Sequence, residues 1–208
     1  MPSSSLFERA EVGFNLYYTF REGESAWIYA RLLRLFHQVL GVSCFSVDPY
    51  QIGLENPEAI DSGAFWFYRK LGFRPIEPDA AALVAREERR IARTPGYRSS
   101  KRTLERIAGT YLIFEGPGAT PGAWDGFRIR NLALAVQRAG ANPKLSPLAQ
   151  VLEMIPERAG WTVEERRAAS RILQSKYASE ESRYLKEMQR HPGLRAAILR
   201  AGQLSRHA

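Results

Sequence analysis

Few side chains in this 208-residue chain are of types that do chemistry alone: one cysteine, Cys44, and three histidines, His37, His191 and His207. Cys44 lies in an apolar stretch with no histidine set beside it by sequence, so it reads as a small core residue. Three scattered histidines and one thiol do not supply a zinc ligand set, and no metal site is expected. Two arrangements have usable spacing. Arg86, Arg90 and Arg93 recur at i, i+4 and i+7, with Arg98, Lys101 and Arg102 following. Such a stripe suits phosphates or an acidic partner, or else forms a solvated face balanced by Glu87, Glu88 and Glu105. No base-reading motif accompanies it, and Tyr97 and Tyr111 are too few for a stacking platform, which points away from a nucleic-acid partner. The second arrangement is Asp61-Ser-Gly-Ala64-Phe-Trp-Phe67-Tyr68-Arg-Lys70-Leu-Gly72-Phe73. Here Tyr68 ends an aromatic helix anchored by Phe65, Trp66 and Leu71. Gly72 permits the turn into a strand at Phe73, and Asp61 or Ser62 can cap the helix start.

The elements that position these residues follow from periodicity. Phe14, Leu16, Tyr18 and Phe20 alternate with polar positions as one face of a strand. A turn over 21–25 leads to a helix over 26–40 that Gly41 ends, then a buried strand over 42–47. Residues 48–60 read as a loop, 64–71 as the aromatic helix and 73–76 as a further strand. Strand, helix, strand, helix, strand gives an α/β (α+β) class: a mixed sheet of about four strands with flanking helices, its first pair parallel. Residues 80–93 and 100–107 add helices within an excursion over 79–110, and 111–115 is the last strand. The Gly/Pro-rich 116–122 is a linker. It separates an α/β domain over 1–115 from a small helical region over 123–208. Helices are expected there at 124–138, 147–155, 163–178, 180–190 and 193–203, with Thr162 and Glu165 forming a capping box.

Composition is that of a folded protein, 45% hydrophobic and 25% charged. No run approaches the ~18 apolar residues of a spanning helix. With one cysteine and no signal-peptide pattern at the start, a reducing, cytoplasmic setting without membrane contact is expected. The net charge of +8 is uneven: residues 1–78 carry −2, 79–110 carry +4 and 111–208 carry +6. The basic charge lies outside the recognisable α/β elements.

The Asp61–Phe73 segment resembles the N-x-x-A-x-x-[LF]-Y-x-K-x-G-F signature of the GNAT-type N-acetyltransferase superfamily, with Asp61 standing in the asparagine place. The resemblance implies acetyl transfer from acetyl-CoA to an amine. In that scheme Tyr68 protonates the departing thiolate and a backbone N–H of the 42–47 strand steadies the oxyanion. It also implies a phosphate-binding turn like [QR]-x-x-G-x-[GA], in which Gly23 and Ser25 fit the last two places. Gly23, Ser25, Ala26 and Asp61 are thus the coenzyme-side residues. Phe20 stands at the [QR] place, and Glu22 and Glu24 flank the turn. Glu11, just before the expected first strand, is the nearest carboxylate to the place where the family keeps a general base. The likeness covers about 11–77 and 111–115, the coenzyme-side half of that fold. The thirteen residues before Phe14 have room for at most one short strand. The half-sheet implies a homodimer or a partner chain completing it. The alternative is a non-catalytic acetyltransferase-like interaction module.

Overall fold

Cys44–Val47 (β3) is buried at every position, the mark of a strand covered on both faces and paired on both sides. In the computed structural model it is flanked by β2 (Arg9–Glu11) in parallel and β5 (Leu112–Glu115) in antiparallel, and β5 also pairs with β4 (Arg74–Pro75). A two-residue β1 (Ser5–Leu6) borders β2, giving the order β1-β2-β3-β5-β4 and a mixed sheet. The structure describes residues 5–13, 24–138, 142, 144–145, 147–177 and 181–203. The strand expected over 14–20 and the turn residues 21–23, Gly23 among them, lie outside these. Two short strands, rather than one, precede residue 14, and Glu11 sits inside β2 rather than ahead of a strand.

The chain divides into two compact units. The first comprises Met1–Ser5, Arg9–Gln38 and Val42–Pro121; the second comprises Leu6–Glu8, Val39–Gly41 and Gly122–Ala208. In the first, register sets the character of each sheet face. Ala10, Phe45 and Phe114 align across β2, β3 and β5 on an apolar face. Arg9, Cys44 and Glu115 align on the other, as do Glu11, Ser46 and Ile113. Arg74 Nη2 donates to Glu115 Oε2 at 2.8 Å on this polar face.

The long helix α1 (Glu24–Leu40) joins β2 to β3, as a parallel pair requires. Beyond β3 the expected loop is largely helical. Asp48 Oδ1 accepts the Tyr50 N–H and starts a 3₁₀ turn, Pro49–Ile52. Asn56 then accepts the Ala59 N–H at 3.2 Å, and Pro57 at the first position opens α2 (Pro57–Ser62). Asp61 and Ser62 therefore do not cap the aromatic helix α3 (Ala64–Lys70); Gly63 stands at its start with no side-chain cap. Asp61 lies in the last turn of α2, exposed and ion-paired with Lys101.

After β4 come α4 (Pro78–Arg93) and α5 (Lys101–Ala108), packed on each other, with Ser100 capping α5 through the Thr103 N–H. Leu83, Val84 and Glu87 make the buried face of α4, and Leu104, Ile107 and Ala108 that of α5.

The second unit is built from α6 (Ile129–Arg138), α7 (Pro147–Glu153), α8 (Val163–Tyr177), α9 (Glu181–Gln189) and α10 (Pro192–Gln203). The first of these starts five residues later than its sequence suggests. Trp124 and Phe127 are buried edge-to-face at 5.1 Å, and the turn that sets them this way is held by Arg128 Nη1 on the Asp125 carbonyl at 2.7 Å. The Thr162–Glu165 capping box forms, with N–H to oxygen distances of 2.8 and 3.2 Å. Residues 178–180, at the ends of two expected helices, lie outside the described ones. Among the described residues no helix is long and apolar enough to cross a membrane.

Candidate functional site

Tyr68 is 2% exposed. Its ring meets Tyr29 edge-on at 5.7 Å, Phe73 at 5.6 Å and Phe67 at 5.3 Å. The position is fixed from both ends of the turn that follows. The Leu71 and Phe73 N–H groups both donate to the Tyr68 carbonyl, at 3.1 and 3.2 Å. Arg69 donates to the Phe73 carbonyl at 3.2 Å and to Glu88 on α4 at 2.7 Å, tying the end of α3 to its neighbour. Tyr29, fully buried, lies one turn along α1 from Ser25 and on the same face. The ring contact thus sets Tyr68 against the first two turns of α1. Burial, then the neighbouring Tyr68, pushes the Tyr29 hydroxyl well above its ordinary range.

Of the coenzyme-side residues, Ser25 is buried and Ala26 half-buried in the first turn of α1, where backbone N–H groups have no intrahelical acceptor. Asp61 stands apart from them in sequence and element, on α2, engaged with Lys101.

A second polar group forms at the carboxyl ends of the parallel strands, where open sheets of this kind bind ligands. Arg9, 4% exposed, reaches Glu11 at 3.5 Å on the same face of β2. Burial pulls the Arg9 pKa down, against the opposing pull of Glu11, Cys44 and Tyr111. Burial raises the Glu11 pKa, Arg9 opposes this, and Asp48 adds to the rise. Tyr111 is hydrogen-bonded to Asp48, and burial with that carboxylate pushes its pKa up to about 12. Ser46, opposite Glu11 in the register, has a buried hydroxyl with no hydrogen-bond partner among the described residues. The Val12 N–H donates to the Ser46 carbonyl at 2.9 Å, so the parallel strands stay joined from Arg9 through Val12. β3 is paired on both sides over Cys44–Ser46, and with β5 through Val47.

Of this group the sequence points only to Glu11. Arg9, Asp48 and Tyr111 carry no local signal, because strand pairing brings them together from distant parts of the chain. No group of three or more histidine, cysteine, aspartate or glutamate side chains suited to a metal occurs among the described residues. No protein-family model, curated protein or solved structure matches the chain.

Proposed function

We propose that the chain is an acetyltransferase-like protein that moves an acetyl group from acetyl-CoA to an amine. The observation that carries this reading is the α3–Gly72–Phe73 segment packed through Tyr68 onto α1, the helix that crosses between two parallel strands. In this reading the first turn of α1, with Ser25 and Ala26, holds the coenzyme's phosphates through backbone N–H groups. The amine nitrogen attacks the thioester carbon, and its proton passes by way of water to Glu11, which lies on the sheet face opposite the Phe114 side where Tyr68 packs. The C–S bond breaks, and Tyr68 gives its proton to the leaving sulfur. Calorimetry with acetyl-CoA tests the first step, and absence of binding at millimolar concentration to folded protein overturns it. Tyr68→Phe is expected to lower kcat by roughly 10²-fold with coenzyme affinity kept, the size of one general-acid contribution.

The raised pKa of Glu11 sets a pH expectation. A base works only when deprotonated, so the acidic limb of kcat/KM falls above the ordinary carboxylate range. Glu11→Gln removes that limb; an unchanged limb excludes Glu11 as the base.

The second reading, a non-catalytic interaction module, is favoured by the 2% exposure of Tyr68. It expects no coenzyme binding and a dimer or complex by light scattering, and a strictly monomeric protein counts against it.

A further inference from the structure

The arginine stripe looked balanced in sequence, and the structure removes most of that balance. Glu87 is turned inward, 1% exposed, and takes the Tyr97 hydroxyl at 2.8 Å and Arg90 at 3.2 Å. Glu88 is held by Arg69 on α3 at 2.7 Å. Only Glu105 of the three expected partners remains at the surface uncommitted. Arg86, Arg89, Arg93, Arg98 and Arg102 are all exposed, and none has a carboxylate partner among the described residues.

Their placement is ordered. Arg86, Arg89 and Arg93 share the outer side of α4, away from Leu83, Val84 and Glu87, and span about 10 Å of helix axis. The 94–100 corner folds back on α4, because the Tyr97 hydroxyl reaches Glu87 and lies 3.5 Å from Arg90. That contact holds against α4 the corner in which Arg98 is the next residue.

We propose that this face binds the phosphate backbone of a nucleic-acid duplex without reading its sequence. Three unneutralised guanidiniums along the outer side of α4, followed in the chain by the exposed Arg98 and Arg102, match a surface carrying one negative charge per ~1.7 Å of axis. The one aromatic ring here, Tyr97, is half-buried with its hydroxyl engaged, so the face lacks the stacking surface that single strands need. It also lacks the large apolar side chains that seat a helix in a bilayer.

The test is fluorescence anisotropy of a labelled DNA duplex of arbitrary sequence with the full chain, between 50 and 200 mM salt. About four phosphate contacts give a slope of log K on log salt of roughly −3.6 and a loss of about 10²-fold over that range. Arg89→Gln with Arg93→Gln should make the slope shallower by about two. Arg89→Glu with Arg93→Glu should weaken binding more than tenfold. Arg130→Glu with Arg167→Glu, exposed positions in the second unit, makes the same change in net charge and should cost little. The proposal is overturned if the two reversal pairs cost the same. It is also overturned if a single strand of equal length binds more tightly, or if anionic vesicles or polyglutamate displace the duplex at matched charge.

Discussion

Gly53→Ala is expected to destabilise the first unit by about 4 kcal/mol, the sum of a strained backbone and an overpacked core. Gly53 has φ +128° and ψ −2°, a conformation open to glycine and to almost no other residue. A Cβ there would stand 2.1 Å from Ile60 Cδ1 and 2.7 Å from Ile60 Cγ1, with Ala108 Cβ at 3.4 Å behind. Ile60 is 6% exposed on the inner side of α2, so its side chain must repack within the core to make room. The tight approach lies between the exit of β3 and the start of α2, so relieving it displaces the helices that lead to Tyr68. Gly63→Ala provides the comparison. It has φ +69° with nothing within 4 Å of the added carbon, and costs only the left-handed penalty of about 1 kcal/mol. Urea unfolding of the two variants separates crowding from backbone strain. Equal midpoints would show that Ile60 yields freely and that the corner is looser than its contacts imply.

What the sequence made legible is what depends on neighbours in the chain. The apolar run of β3 and the helix of α1 are local patterns, and so are the Ser100 cap and the Thr162–Glu165 box. The loop reading of 48–60 missed a local signal that was present: Asn56 followed by Pro57 is a helix start, and it opens α2. The strand β2 gave no such signal. Two of its three residues, Arg9 and Glu11, are charged, and they tolerate burial only because they neutralise each other on one face. The polar group at the strand ends is hidden for a different reason. Asp48 meets Tyr111 because β3 and β5 pair in antiparallel register, which no spacing along the chain encodes. Likewise, Tyr29 reads in sequence as one more apolar position of α1. Its contact with Tyr68 depends on where α3 docks.

The arginine stripe shows the same limit, and Glu87 is where it can be measured. Glu87→Ala should cost roughly 1–3 kcal/mol, because it strips the half-buried Tyr97 hydroxyl of its acceptor while Arg90, 57% exposed, turns to water. Tyr97→Phe, which removes one donor to a charged acceptor, should cost about 1.5 kcal/mol. The pH dependence is the sharper readout. Burial alone would raise the Glu87 pKa, but the nearby Ser99 hydroxyl, the hydrogen bond from Tyr97 and the charge of Arg90 outweigh it, and the net shift is downward. A depressed carboxylate contributes stability that is complete above the unfolded pKa of ~4.3 and is lost as pH falls through the folded value. The stability gap between the wild-type chain and Glu87→Gln should therefore be constant near neutrality and close in acid. A gap that persists below the folded value would mean that Glu87 acts by packing, not by charge.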